Sequence, residues 1–241
     1  MTLSLSSPVG RAFLRGLVTS LPFLLVVVPF GLVFGVVATS AGMTLFETMA
    51  FSVIVVAGAA QFAAVQLIQE GAPLLIVILT ALAVNLRMAM YSAALAPHLG
   101  ATSAPVRALL AYSLMDQCFV ASMVEYERRP TATVAEKAAF FFGIAVPICP
   151  LWYVATWAGV VFGQTIPPEY ALDFAVPITF LAMTAPMISS VAHAAAAGVA
   201  VGLTLILAFM PYGSGLLVAS AVGMATGAVI EVMTDRKGRM A

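Results

Sequence analysis

Long apolar runs separated by short polar segments dominate the chain from one end to the other. Runs of about 17 to 25 apolar residues match the length that an α-helix needs to cross a hydrocarbon layer of about 30 Å. We therefore predict an all-α, polytopic membrane helical bundle that forms one integral membrane domain over residues 1–241. Prolines, glycines and charges divide the sequence into eight candidate spans: Leu17–Ser40, Met49–Ile68, Pro73–Ala96, Val106–Val124, Ala138–Phe162, Ala171–Val191, Ala194–Met210 and Gly215–Met233. Only a short junction at Ala192–His193 separates the sixth span from the seventh, so the alternative is a bundle of seven.

The composition argues against a soluble fold. Hydrophobic residues make up 63% of the chain and charged residues 8%, against about 25% charged in an ordinary soluble domain. The formal net charge is zero, so the sequence gives no sign of a basic surface for nucleic acid. The apolar composition indicates that lipids surround the chain. The first apolar run exceeds the ~7 to 15 residues of a signal-peptide core, and further runs follow it. We therefore interpret that first run as a membrane helix.

The basic residues orient the predicted bundle. They form three clusters, namely Arg11 with Arg15, Arg128 and Arg129 with Lys137, and Arg236 and Lys237 with Arg239. With eight spans, all three clusters fall on one side, and no Lys or Arg lies in the loops assigned to the other side, Ala41–Thr48, Pro97–Pro105, Gln164–Tyr170 and Pro211–Ser214. Because cytoplasmic loops carry the excess of Lys and Arg, we expect both termini in the cytoplasm.

A short internal similarity indicates a repeat. The pattern of Pro22, Gly31 and Gly35 in the first span recurs 128 residues later as Pro150, Gly159 and Gly163. It fits parallel half-repeats of four helices over residues 11–126 and 138–233, a plan known among transporters, although chance similarity explains so short a match equally well. Four GxxxG pairs, at Gly31/Gly35, Gly159/Gly163, Gly198/Gly202 and Gly223/Gly227, predict close helix packing.

Two ionisable residues lie far inside predicted spans. Arg87 is nine residues from Ala96 and Asp116 is ten residues from Val106, two span ends assigned to the same side. At about 1.5 Å per residue, both lie at a similar depth. An arginine at the centre of a bilayer costs at least about 2.5 to 3.5 kcal/mol, so Arg87 needs a partner inside the bundle. We predict that Arg87 pairs with Asp116.

Polar neighbours surround this pair in the sequence. Tyr112, Ser113, Asp116 and Gln117 form one stripe at helical spacing on the fourth span, and Thr80, Arg87 and Tyr91 form another on the third. Gln61 on the second span and Asn85 on the third add side-chain amides. The candidate substrate-binding residues are therefore Gln61, Asn85, Arg87, Tyr91, Asp116 and Gln117. A polar network that only fixes helix packing is the structural alternative.

The residue types suggest a division of roles. Arg87 can receive a substrate carboxylate through its planar set of donors, while Asp116 neutralises it in the empty site or takes part in proton coupling. Gln61 and Asn85 can bind an amino group through their carbonyl oxygens. No enzyme motif, nucleotide loop or metal-ligand cluster is present in the sequence, so we expect no catalysis and no cofactor. A secondary transporter is favoured, and a channel or a non-transporting structural subunit is the alternative.

Several motifs resemble those of the AzlC family, the large subunits of bacterial branched-chain amino acid exporters. They are PFGLVFG from Pro29, AGAAQF from Ala57, VNLRMAMYSAALAPHL from Val84, the Asp116–Gln117 pair and LDFAVP from Leu172. The resemblance extends from Arg11 to Glu231. The positions that match the family motifs include Gln61, Asn85, Arg87, Tyr91 and Asp116, whereas Gln117 stands where the family often has a glutamate.

This resemblance carries functional expectations. It implies export of hydrophobic amino acids such as leucine, isoleucine and valine across the bacterial cytoplasmic (inner) membrane. It also implies a small, separately encoded AzlD-type membrane partner. The glutamine at position 117 removes a second carboxylate that proton coupling would otherwise have available.

Overall fold

A computed structural model describes residues 7–163, 188, 190–210 and 214–240. The predicted sixth span and the LDFAVP motif lie mostly or wholly outside these residues. The described residues form nine helices and no strand, which confirms the predicted all-α class. The helices are α1 (Pro8–Ser40), α2 (Leu45–Ile54), α3 (Gly58–Gln69), α4 (Leu74–Leu99), α5 (Ala104–Tyr112), α6 (Asp116–Arg128), α7 (Val134–Gly163), α8 (Val191–Ile206) and α9 (Ser214–Met240).

Four of these helices are long and apolar enough to cross a membrane. They are α1, α4, α7 and the stretch Ser214–Thr234 of α9. The second and fourth predicted spans are not continuous helices, because each is divided into two shorter helices, α2 with α3 and α5 with α6. The described residues therefore do not establish a count of eight or seven spans.

The chain is divided into two compact units. The first contains residues 1–62 and 84–170, and the second contains residues 63–83 and 171–241. The first unit holds the predicted ion pair. In the second unit, Gly223 and Gly227 of α9 pack against Ala196 of α8, whereas no described atom lies within 4 Å of a Cβ placed on Gly198 or Gly202. The predicted packing role is therefore confirmed for the Gly223/Gly227 pair of α9. The Gly198/Gly202 pair of α8 makes no such contact with the described residues.

Glycines bring α1 and α7 into backbone contact in the first unit. Gly16 lies against Gly143 near the start of both helices, and Gly35 lies against Gly159 near their ends. Because both sets of partners advance in the same direction, the two helices are parallel. A Cβ on any of these glycines would collide with backbone atoms of the opposite helix, so small residues are required for the close approach. This confirms the packing role that we predicted for Gly31/Gly35 and Gly159/Gly163.

Helices α2 and α3 form the first helical hairpin. Thr44 and Glu47 begin α2 with a capping box, and hydrogen bonds from Thr44 hold the pKa of the Glu47 carboxyl below its usual range. The helix ends before Val55, and α3 begins at Gly58. Ser52 and Gln61 are hydrogen-bonded at 3.2 Å, a distance that a continuous helix with about 1.5 Å rise per residue does not allow. The chain therefore turns back at residues 55–57.

Helices α5 and α6 form the second helical hairpin. Ser103 and a proline in the first turn begin α5, which ends at Tyr112, and α6 begins at Asp116. At its far end, α6 returns Tyr126 to within 5.2 Å of His98, measured between ring centroids. His98 lies at the end of α4, close to the point where α5 begins. Both helices of this hairpin therefore reach the same end of the unit, and neither crosses it.

The hairpins change the predicted topology. His98 lies 3.3 Å from the Lys137 amine, between the ring Nδ1 and the Nζ atoms, so the C-terminal end of α4 adjoins the start of α7. The prediction that the Pro97–Pro105 loop lies on the opposite side from Lys137 is wrong for this reason. The first hairpin follows the end of α1, and the second follows the end of α4. Because α1 and α7 are parallel, the two hairpins enter the unit from opposite ends.

Candidate functional site

The candidate site lies where the second hairpin turns against the middle of α4. An Arg87 Nη1 atom is 3.0 Å from an Asp116 carboxylate oxygen, which confirms the predicted pair. Asp116 is the first residue of α6, so its negative charge lies at the positive end of the helix dipole. The two residues lie at matching positions along their helices because the end of α4 and the start of α5 are adjacent in the structure.

Tyr91 completes the immediate surroundings of the pair. Its hydroxyl donates a hydrogen bond of 2.9 Å to the second Asp116 carboxylate oxygen. Its ring stacks on Phe119, with centroids 4.0 Å apart and planes at 9°. Sequence reasoning missed Phe119, although its position one turn after Asp116 on the same helix is a signal that could have identified it. Asp116 is thus held by one charged and one neutral donor.

The pair is partly buried and incompletely bonded. The Arg87 and Asp116 side chains are 26% and 23% exposed. The Arg87 Nε atom and the Asn85 side-chain oxygen are both buried without a hydrogen-bond partner among the described residues. The guanidinium therefore retains a donor for a further acceptor. Asp116 balances the charge of Arg87, so the donors left for a carboxylate are the unpartnered Nε–H and the first backbone N–H groups of α6.

The remaining candidate residues do not all join this pair. Gln61 lies fully buried in the first hairpin, where its amide nitrogen donates to the Ser52 hydroxyl and its oxygen has no partner among the described residues. Asn85 is two residues from Arg87 on α4, which turns the two side chains about 200° apart around the helix. Gln117 follows Asp116 in the first turn of α6 and is half-buried. The ion pair and the Tyr91 hydrogen bond therefore unite three of the six candidates, Arg87, Tyr91 and Asp116.

The predicted polar stripe on the fourth span is broken at the same place. Tyr112 ends α5 and Asp116 begins α6, so Tyr112 and Ser113 do not share a helical face with Asp116 and Gln117. The helical spacing that we assumed for the whole stripe is wrong because residues 113–115 are not helical. Tyr112 instead donates a 2.8 Å hydrogen bond to the backbone carbonyl of Val53 in the first hairpin.

An apolar cavity lies beside the site, between α4 and α5. Its volume is about 130 Å³, and its lining includes Leu95, Leu99, Leu110 and Leu114, with Arg107 as the charged member. Leu114 is two residues before Asp116, so the cavity approaches the ion pair along the second hairpin. For comparison, an apolar protein cavity of about 150 Å³ holds benzene. A branched aliphatic side chain is therefore of suitable size for this space.

Basic residues gather at the end of the first unit where α1 and α7 begin, and ion pairs and hydrogen bonds connect them to their neighbours. Glu125 lies 3.0 Å from Arg15 and 3.2 Å from Arg129, in each case between a carboxylate oxygen and Nε. Lys137 contacts His98, and the Arg107 guanidinium donates to the Gly100 carbonyl at 2.8 Å. Arg107 therefore belongs to the same end as the two basic clusters that the first unit contributes.

These features define a polytopic α-helical membrane protein with an ion pair at the turn of a helical hairpin. The family model described as AzlC protein matches residues 22–166, more than half of the chain. An uncharacterized membrane protein of Archaeoglobus fulgidus is 30% identical over 178 residues, which cover 72% of this chain and 75% of that protein. The inner membrane protein YgaZ of Escherichia coli is 28% identical over 181 residues, 73% of each chain. No solved structure matches the chain.

The chain belongs to the AzlC family, as its sequence motifs predicted. The matched segment contains both helical hairpins and the Arg87–Asp116 pair.

Proposed function

We propose that this chain is the large subunit of a secondary transporter that exports branched-chain or other hydrophobic amino acids. The Arg87–Asp116 pair at the turn of the second hairpin is the observation that carries the proposal. Non-helical backbone and charge at membrane depth persist only where they are buried in protein or line a cavity. Secondary transporters commonly bind substrate at such interrupted helices. Membership of the AzlC family supports the same function.

In this proposal, Arg87 binds the substrate carboxylate. The guanidinium has two edges with paired donors, Nε with Nη2 and Nη1 with Nη2, and Nε is unpartnered while Nη1 is on Asp116. Either edge suits a carboxylate with its two oxygens. The N-terminus of α6 adds favourable electrostatic interaction. A carboxylate that replaces Asp116 on Arg87 leaves Asp116 with the Tyr91 hydroxyl. Asp116 then neutralises Arg87 only in the empty site, and it can carry a proton during the exchange.

The rest of the substrate has matching surroundings. The Asp116 carboxylate, once released from Arg87, is an acceptor for the substrate ammonium group, whereas the unpartnered oxygens of Asn85 and Gln61 lie on another face of α4 and in the first hairpin. The aliphatic side chain fits the leucine-lined cavity beside the second hairpin. Gln117 lies one residue from Asp116 and provides a neutral amide where a carboxylate would compete for Arg87. This combination favours zwitterionic amino acids with apolar side chains.

We also propose in which membrane the chain lies, which end of the first unit faces the cytoplasm and which partner subunit it binds. Arg107 adds to the basic end of the first unit that already holds Arg15 and Lys137. By the positive-inside rule we place this end, and both termini, in the cytoplasm of a bacterial cell, with the chain in the inner membrane. A small AzlD-type membrane subunit completes the transporter.

Export from cells tests the proposal. Cells are loaded with leucine-containing and valine-containing dipeptides, and intracellular leucine and valine are measured with and without this chain and its small partner. We expect lower accumulation in cells that express the chain, and no effect of Arg87→Ala or Asp116→Asn protein that inserts normally. Arg128→Ala is the matched control, because Arg128 is exposed at the end of α6 and lies outside the cavity lining. Full export by both site variants would refute the proposed site, and equal accumulation with and without the chain would refute export.

A further inference from the structure

The turns of the two helical hairpins meet through one tyrosine. The Tyr112 hydroxyl, at the end of α5, donates to the Val53 carbonyl near the end of α2 at 2.8 Å. The same hydroxyl lies 2.9 Å from the hydroxyl of Tyr153 on α7. Since the single hydroxyl proton of Tyr112 points to Val53, Tyr153 donates to Tyr112. The three groups form a continuous chain of hydrogen bonds from α7 to both hairpins.

The Val53 carbonyl is available because α2 stops. In a continuous helix this carbonyl would accept from the backbone N–H of Ala57, four residues later. That N–H donates to Val55 instead, at 2.8 Å. The last carbonyls of a helix require partners from elsewhere when they are removed from water. Tyr112 supplies the partner from the opposite hairpin, so the two interruptions satisfy each other.

The position of this contact gives it a role beyond packing. The first hairpin enters from the end where α1 stops, and the second enters from the end where α4 stops. A route from one end of the first unit to the other along the hairpin turns must pass the point where they meet. Asp116 lies only four residues after Tyr112, at the same turn as the ion pair. The Tyr112 bond thus lies near the proposed substrate site in the second hairpin and joins that hairpin to the first.

We propose that the Tyr112 hydroxyl is a latch that holds the two hairpin turns together and closes the route between them. The latch opens when the bond to Val53 breaks, and Tyr153 stabilises the closed state through its bond to the Tyr112 oxygen. This inference rests on the proposed transport function, because only a transporter has a route to close. It assigns Tyr112 and Tyr153 a positioning role and leaves substrate binding to Arg87.

Water access to the hairpin turn measures the latch. Ser113 follows Tyr112 and is 8% exposed. A cysteine introduced by Ser113→Cys, in a chain whose own cysteines are removed by Cys118→Ala and Cys149→Ala, becomes accessible to water when the turns separate. The rate at which a water-soluble thiol reagent labels it in proteoliposomes therefore measures opening. Adding Tyr112→Phe should raise this rate about three- to tenfold, the usual effect of one net hydrogen bond on an equilibrium. Tyr126→Phe is the matched control, since its hydroxyl makes a similar 2.9 Å bond to a backbone carbonyl away from the turns.

The outcomes separate the latch from the function. An unchanged labelling rate in Tyr112→Phe protein, or an equal increase with Tyr126→Phe, would overturn the latch even if the parent chain transports leucine. Faster labelling in Tyr112→Phe protein without leucine transport by the parent chain and its small partner would show that the Tyr112 bond holds the turns together, and would refute the proposed function. Tyr153→Phe should raise the rate in the same direction and by a smaller factor. If Tyr112→Phe protein is not monodisperse, Tyr153→Phe tests the latch in a chain that retains Tyr112.

Discussion

Replacing Gly35 by alanine tests the packing that holds α1 against α7. A Cβ at this position would lie 2.7 Å from the backbone nitrogen of Val160 and 2.9 Å from the carbonyl carbon of Gly159, besides colliding with the Thr156 carbonyl oxygen. All three obstacles are backbone atoms, which cannot rotate away as a flexible side chain can. The two helices must therefore separate to accept a single methyl group.

The expected magnitude follows from two opposing contributions. Overpacking of a tight contact costs about 1–3 kcal/mol, whereas alanine stabilises a helix by about 0.5–1 kcal/mol relative to glycine. At Gly35 the net effect is a loss of about 0.5–2 kcal/mol, or a fall in Tm of about 1–8 °C for a chain of this size. At Gly202 no described atom lies within 4 Å of the added methyl group. Gly202→Ala should therefore raise the Tm by about 1–4 °C.

Thermal unfolding of the two variants in the same detergent measures this difference. Both carry the same substitution in a transmembrane or apolar helix, so only the surroundings of the glycine differ. Opposite signs of the change in Tm are expected. A Gly35→Ala protein as stable as Gly202→Ala would show that α1 and α7 do not approach as closely as the structure has them.

Two other substitutions test polar groups near the hairpin turns. Ser52→Ala should lower the free energy of unfolding by about 1–3 kcal/mol, because it leaves the fully buried Gln61 amide without its partner. Ser20 is equally buried but bonded within its own helix, so Ser20→Ala should lower that free energy by less. Equal losses of the two variants in thermal unfolding would contradict this expectation. Tyr91→Phe should reduce leucine transport by roughly tenfold, because a hydrogen bond to the charged Asp116 is lost. Transport at the parent rate would show that this bond is dispensable.

The ion pair was predictable because charge is rare in this sequence. An arginine within an apolar run must find a partner, and Asp116 was at a matching distance from an adjacent span end. That distance is the same whether the following segment crosses the membrane or turns back. The prediction of the pair therefore held although the predicted topology around it did not.

The helical hairpins were not predictable from hydropathy. The turn of the first hairpin consists of Val55, Val56 and Ala57, which are as apolar as the helices beside it and include no proline. Two short apolar helices joined by such a turn have the length and hydropathy of one spanning helix. What distinguishes them is tertiary: Ser52 bonds to Gln61 across the turn. The predicted membrane side of the Pro97–Pro105 loop depended on the number of times the chain crosses the membrane. It was wrong because two of the predicted crossings are hairpins.

Exchange of labelled leucine across proteoliposomes tests the central claim most directly. Purified chain is reconstituted with and without its small membrane partner, and uptake of labelled leucine against preloaded leucine is compared for the parent, Arg87→Ala and Arg128→Ala proteins. We predict saturable exchange by the parent and by Arg128→Ala, and none by Arg87→Ala. Undiminished exchange by Arg87→Ala would contradict the assignment of the carboxylate site, and passive ion conductance without saturable exchange would identify a channel instead.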